Sequence, residues 1–263
     1  MRILSLLLVP ALLATAASLP TAAPEEVGLS AERLQRIRTV LQGYIDRGEV
    51  AGAISLVARK GKVAWFEAQG YADLEQKTPL RTDHIFRLAS MTKPVTSLAV
   101  MMLHEEGRLL LGDPVGKFLP ALADMKVAKP GTGGVETVAC DRAMTVQDLL
   151  RHTSGLTYRD RGTGAAFKAY PGSSVVAAVK LGKEEFLETL AKVPLVYQPG
   201  TAWEYGFSTD VLGFIVEAVS GQSLGAFLKE RLWTPLGMVD TGFTLPESNA
   251  GRYARALPKC PLT

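Results

Sequence analysis

The sequence predicts an α+β (mixed α/β) fold on three observations: an amphipathic helix near its start, two short apolar strands around a glycine turn, and a run of helix caps and stops thereafter. Ser30 supplies an N-cap for a helix to about Arg47, with Leu34, Ile37, Leu41, Tyr44 and Ile45 on one face and Gly48 as stop. Residues 51–58 and 63–70 read as strands on either side of Lys60-Gly61-Lys62. A second helix follows Ser90. Val95, Leu98, Ala99 and Met102 mark its buried face at i, i+3, i+4, i+7, and Gly107 marks its end. Asp113-Pro114 and Leu119-Pro120 mark loops, and residues 127–143, rich in Gly, Pro and Thr, form a long connection. Thr145-Val146-Gln147-Asp148 fits a capping box opening a short helix to Arg151. Further helices are predicted near 183–192, 209–219 with Ser208 as N-cap, and 223–232 with Ser223 as N-cap. A lone hairpin is marginal, so these strands need partners, and the remaining sequence offers few.

Residues 1–23 read as a signal peptide and 24–263 as one domain. Arg2 gives a positive start, and residues 3–13 form an apolar stretch too short to span a membrane. Ala14-Thr15-Ala16 and Thr21-Ala22-Ala23 are two small-x-small cleavage sites. A retained N-terminal helix or lipid anchor is the competing reading, and no lipobox cysteine supports it. The expected location is therefore the periplasm or beyond, with no membrane span. Of the 263 residues 47% are apolar and 21% charged, a globular composition. A net charge of +3 without any Lys/Arg cluster points away from nucleic acid. Cys140 and Cys260 could pair in an oxidising compartment, but nothing in the sequence places them together. Three scattered histidines without Cys/His spacing give no expectation of a metal or cofactor.

Ser90-Met91-Thr92-Lys93 carries the chemistry. Residues three apart share a helix face, so the amine can reach the hydroxyl. A serine hydroxyl needs a nearby base, and a lysine can be that base only with a pKa well below ~10.4. The start of a helix disfavours a second cation and offers N–H groups to an oxyanion. The same four residues also read as a helix-capping serine followed by a solvated lysine. Pro94 in the first turn and the apolar helix beyond favour the functional reading. Tyr205, in Trp203-Glu204-Tyr205-Gly206-Phe207-Ser208, is a candidate base toward that serine, because a neighbouring lysine eases loss of the phenolic proton. An amphipathic tyrosine at the edge of the core is the plainer alternative.

Four segments in order, Phe86 to Pro94 around Ser90, Leu149 to Leu156, Tyr197 to Tyr205, and Pro235-Leu236-Gly237-Met238, resemble the serine β-lactamase-related family. That family includes class C β-lactamases, D-alanyl-D-alanine carboxypeptidases and family VIII esterases. The resemblance runs from about Gly28 to about Ala256. It implies a β-lactamase/transpeptidase-like fold: an antiparallel sheet flanked by helices, plus a helical lobe, with the active site between them. It also implies Ser90 as acylated nucleophile, Lys93 as its proton partner, and Tyr205 as base or shuttle. One oxyanion donor would be the Ser90 N–H and the other would come from a late strand. No match to that strand's motif occurs before Thr263, so the closing strands of the sheet are expected to be absent and the domain C-terminally incomplete.

In β-lactamases and carboxypeptidases the tyrosine motif is Tyr-x-Asn. Phe207 stands in the asparagine's place here and is expected to form an apolar wall, favouring esters over β-lactams or peptides. The expected function is thus a secreted serine hydrolase acting on small-molecule carboxylic esters. The alternatives are a β-lactamase or D-alanyl-D-alanine carboxypeptidase, or a non-catalytic relative binding cell wall or protein. Gly221-Gln222-Ser223-Leu224-Gly225 imitates a nucleophile elbow, but a helix precedes it and no histidine follows, so Ser223 reads as a cap. His152 reads as a structural group bonding loop backbone, His84 and His104 as surface or satisfied core groups, and Asp210 as a charge favouring a helix start.

Overall fold

The computed structural model describes residues 19–129, 131, 136–173, 181–255 and 257. Residues 1–18 of the expected signal peptide and Cys260 lie outside the described residues. The chain divides into two compact units, one of residues 1–88 with 231–263 and one of 89–230.

In the first unit, α1 (Ala31–Asp46) starts where Ser30 Oγ accepts from the Arg33 N–H and stops before Gly48, whose φ is 71°. Leu34 is buried and Tyr44 exposed, so this helix shields the sheet with a narrower stripe than its sequence pattern implies. Strands β1 (Gly52–Arg59) and β2 (Lys62–Asp73) pair antiparallel from Arg59↔Lys62 to Gly52↔Gly70. Lys60 and Gly61 have φ of 53° and 70°, and two left-handed residues in succession suit the twist of a tight hairpin. The short β3 (Thr78–Pro79) extends the sheet to order β1-β2-β3. Ile85 bridges to Tyr253, with the Ile85 N–H donating to Arg252 O at 2.7 Å.

The second unit is mainly helical. Its core is α6 (Ser208–Ser220), whose Val211, Leu212, Ile215 and Val216 have no exposure. Packed on it are α2 (Thr92–Glu105), α3 (Val146–Leu150) and α7 (Leu224–Leu228). Two further elements, α4 (Ala165–Lys168) and α5 (Lys183–Ala191), complete the described α-helices of this unit. The buried face of α2 is Thr96, Ala99, Val100 and Leu103, one position on from the predicted face, and Leu98 is 45% exposed. The spacing is the predicted one; the phase differs because apolar residues occupy most sides of this helix. Thr96 enters the core at low cost because its hydroxyl donates to Thr92 O at 3.3 Å.

Three further expectations change. Within 127–143, β4 (Lys126–Ala128) and β5 (Thr137–Ala139) pair antiparallel, so this connection contains a small ladder. Ser208 is not an N-cap: it lies inside α6, and its Oγ is 2.8 Å from Ser154 Oγ in the interior. Ser223 does cap α7, but that helix ends at Leu228 and continues as a wider π turn through Trp233. The Thr145–Asp148 capping box is present as expected. The Asp148 carboxylate also accepts two hydrogen bonds from Arg142 (2.6 and 2.8 Å) and one from Thr153 Oγ1 (3.2 Å). Burial alone would push this carboxyl up; the Arg142 and Thr145 bonds more than offset that and hold it below the usual range.

Gly206 sets how closely the Tyr205 loop approaches its neighbour. A Cβ there would stand 2.6 Å from the Thr157 carbonyl carbon and 2.7 Å from Leu156 O, both backbone atoms that cannot step aside. Gly206→Ala is therefore expected to cost about 2–3 kcal/mol, or roughly 5–10 °C in Tm, by thermal unfolding. An unchanged Tm would contradict this packing.

Candidate active site

Ala89-Ser90-Met91 forms a single 3-10 turn leading into α2. Ala89 has φ of 45°, an uncommon value for a residue with a side chain, and the turn leaves Ser90 exposed. Lys93 follows one turn later, and its Nζ donates to Ser90 Oγ at 3.4 Å. Ser90 Oγ lies 2.7 Å from Tyr205 Oη. The Lys93 nitrogen is also 4.8 Å from the centre of the Tyr205 ring. The three predicted residues thus converge, and all three belong to the second unit.

The loop carrying Tyr205 is fixed at several points. The Glu204 N–H donates to His152 O at 2.8 Å, and the Gly200 N–H to Thr153 O at 2.7 Å. The Glu204 carboxylate, largely buried, accepts from Thr157 Oγ1 at 3.0 Å and faces Arg161 at 3.5 Å. Around the Tyr205 ring stand His152 at 5.2 Å, Tyr158 edge-on at 5.5 Å and Trp203 nearly parallel at 6.2 Å.

Charge is distributed differently from the sequence expectation. Burial alone would push the Lys93 ammonium down. Its interactions with Tyr205, Tyr158 and Asp210 more than offset this, so its pKa lies above the ordinary lysine value. For Tyr205 the balance runs the other way. Burial alone would raise the phenol, but the hydrogen bonds from Lys93 and Ser90 and the lysine charge hold it below the usual tyrosine value. The depressed pKa that Lys93 would need to act as the base is not what this environment produces. The group eased toward its basic form is the phenol, at a distance suited to proton transfer from Ser90.

Phe207 is also corrected. Its side chain has no exposure and packs on Tyr158 (4.7 Å, edge-on), Phe186 (5.2 Å) and Tyr170 (6.3 Å, stacked). It is core, one ring behind Tyr158, and not a wall that a ligand touches. His152 stands nearer the site than expected. Its φ is 55°, its backbone holds Glu204, its ring lies on Tyr205, and its buried Nδ1 has no hydrogen-bond partner. Burial and the Lys93 charge hold the imidazole below its ordinary pKa. Asp210, in the first turn of α6, is pushed up by burial to about 6 and is ionised at neutral pH. His84 and His104 are satisfied, their Nδ1 atoms meeting the Arg81 N–H (2.9 Å) and Leu109 O (3.1 Å). The Cys140 thiol donates to Met125 O. Among the described residues no group of three His, Cys, Asp or Glu is placed to hold a metal ion. No single described helix is long and apolar enough to cross a membrane.

Residues 37–260 match the family model described as Beta-lactamase. Esterase EstB of Burkholderia gladioli is 38% identical over 239 residues, covering 89% of this chain and 57% of that protein. A putative D-alanyl-D-alanine carboxypeptidase of Escherichia coli K12 is 30% identical over 235 residues, covering 86% of this chain and 50% of its own. The solved structure of EstCE1, described as a hydrolase with promiscuous acyltransferase activity, superposes with a TM-score of 0.71 at 32% identity, over 84% of this chain and 55% of that one. The chain therefore spans about half the length of the curated relatives it matches.

The His152 environment predicts a pH effect on stability. Because its native pKa is depressed, the stability it contributes is complete above the unfolded value of about 6.5 and is lost as pH falls through the native value. His152→Phe keeps the ring contact and removes proton uptake. Its fall in Tm between pH 7 and pH 5 is expected to be smaller than that of the wild type; equal falls would contradict the assignment.

Proposed function

We propose that this chain, which belongs to the Beta-lactamase family, is a serine hydrolase performing two-step acyl transfer on carboxylic esters. The observation that carries this reading is the 2.7 Å contact between Ser90 Oγ and Tyr205 Oη beside Lys93. In the first step Tyr205, as the phenolate that the Lys93 ammonium stabilises, takes the Ser90 proton and becomes the phenol as Oγ attacks the ester carbonyl and the negative charge passes to the carbonyl oxygen. The Ser90 N–H offers one donor to the oxyanion, and the family resemblance implies a second from a late strand. Tyr205 then returns the proton to the departing alkoxide, leaving an acyl-Ser90 ester. The Tyr205 phenolate left by that transfer takes a proton from water as the water oxygen attacks the acyl carbonyl, and the phenol then returns the proton to Ser90 Oγ as its bond to the acyl carbon breaks, releasing the acid.

Two observations support a preference for esters over β-lactams. The side chain in the Tyr-x-Asn asparagine position is Phe207, which supplies no amide for a substrate to bond. The name of EstB supports the same preference. Amide hydrolysis is the second reading, supported by the name of the E. coli relative.

Export to the periplasm or beyond, through a cleaved leader, is part of the proposal. The leader read from the sequence ends at Ala23, but contacts of Pro20 and Ala22 support the earlier of the two cleavage sites. Pro20 O accepts from the Val63 N–H (2.8 Å) and the Ala22 N–H donates to Val63 O (3.0 Å), contacts that cleavage after Ala23 would remove.

Covalent labelling tests the reading. An alkyl fluorophosphonate is expected to modify Ser90 in the folded chain, to leave Ser90→Ala unmodified, and to react about 100-fold or more slowly with Tyr205→Phe, followed by peptide mass. Absence of a Ser90 adduct would support the non-catalytic reading. Faster turnover of a chromogenic cephalosporin than of an aryl ester would overturn the ester preference.

A further inference from the structure

Trp203 is 60% exposed, although its ring lies 6.2 Å from that of Tyr205 at an interplanar angle of only 20°. His152 backs it at 6.0 Å. A large flat apolar face beside two hydroxyls 2.7 Å apart offers an apolar group a surface against which burial is favourable. Its position relative to the proton path says which part of a substrate that is. The phenolate that removes the Ser90 proton must deliver it to the oxygen of the departing alcohol, so that oxygen has to come within hydrogen-bond reach of Tyr205 Oη. The group attached to it then lies beside Tyr205, whose ring the Trp203 face parallels at 6.2 Å. The acyl group stays on Ser90 through the second step and is not constrained to this side.

We propose that Trp203 is a specificity-determining residue that packs against the alcohol portion of the ester, favouring aryl and other flat apolar alcohols. This rests on the acyl-transfer reading above and names the substrate class for it. Trp203 acts only while the alcohol is present, in formation of the acyl-enzyme. Two acetates that differ only in alcohol share one acyl-enzyme and so share deacylation.

The test compares kcat/KM for 2-naphthyl acetate and methyl acetate in wild type, Trp203→Phe and Trp203→Ala. The naphthyl-to-methyl ratio is expected to fall about ten-fold in Trp203→Ala and much less in Trp203→Phe. The ratio of 2-naphthyl butyrate to 2-naphthyl acetate should not change. A loss that follows acyl length, or that is equal for both alcohols, overturns the proposal. Should Trp203→Ala fail to fold, Trp203→Leu keeps the bulk without the flat ring and is read in the same way. Binding of 2-naphthol, followed by its own fluorescence, separates this inference from the catalytic reading. It is expected to bind wild type and Ser90→Ala alike and Trp203→Ala several-fold more weakly. Retained, Trp203-dependent binding in a protein without ester turnover would overturn the catalytic reading and uphold the aromatic shelf. Binding that does not depend on Trp203 would overturn the shelf.

Discussion

A single positive charge, the Lys93 ammonium beside the face and hydroxyl of Tyr205, is the interaction on which the proposed chemistry depends. Alone and half-buried, either group would be driven toward its neutral form. Together each favours the other's charged state: the lysine proton is held more tightly and the phenol proton less so. Asp210, ionised above about pH 6, adds to the hold on the lysine and opposes ionisation of the phenol. Of the two partners offered by the sequence for Ser90, this balance favours the tyrosine as base and leaves the lysine as its counter-charge.

That contact survives only if two loops stay in place, and both polar and apolar contacts hold them. Arg142, Thr145 and Thr153 converge on the Asp148 carboxylate and fix the start of the 152–158 segment. The Ser154–Ser208 hydroxyl pair ties that segment to the first turn of α6. Gly206 lets the Tyr205 loop lie directly on the Thr157 backbone. Phe207, immobilised among Tyr158, Tyr170 and Phe186, anchors the loop from within the core. Polar contacts of this kind favour one geometry, which the proposed transfer between oxygens 2.7 Å apart requires.

Much of this was legible from residues alone, because caps, glycine stops and turn chemistry are local signals. Ser30, Gly48, Lys60-Gly61, Gly107 and the Thr145–Asp148 box all do what their neighbours in sequence imply. The Ser90, Lys93 and Tyr205 convergence was legible through ordered motifs. Properties set by distant neighbours were not. The phase of α2 turned by one residue because nearly every side of that helix is apolar, so only its packing partner decides which side is buried. Ser208 reads as a cap until Ser154, far off in sequence, offers it a hydroxyl. Phe207 replaces an amide in the motif, but only the ring cluster behind it shows that its side chain turns inward. The direction of the lysine pKa was not legible because the groups that raise it lie on other segments.

The most direct measurement is a pH titration of the protein labelled at the tyrosine ζ-carbon, with the Tyr205 signal assigned by its loss in Tyr205→Phe. The account predicts a phenol-to-phenolate shift with a midpoint below the ordinary tyrosine value of about 10, moving upward when Lys93 is replaced by alanine. A midpoint at or above 10 in the native protein, insensitive to Lys93, would contradict it.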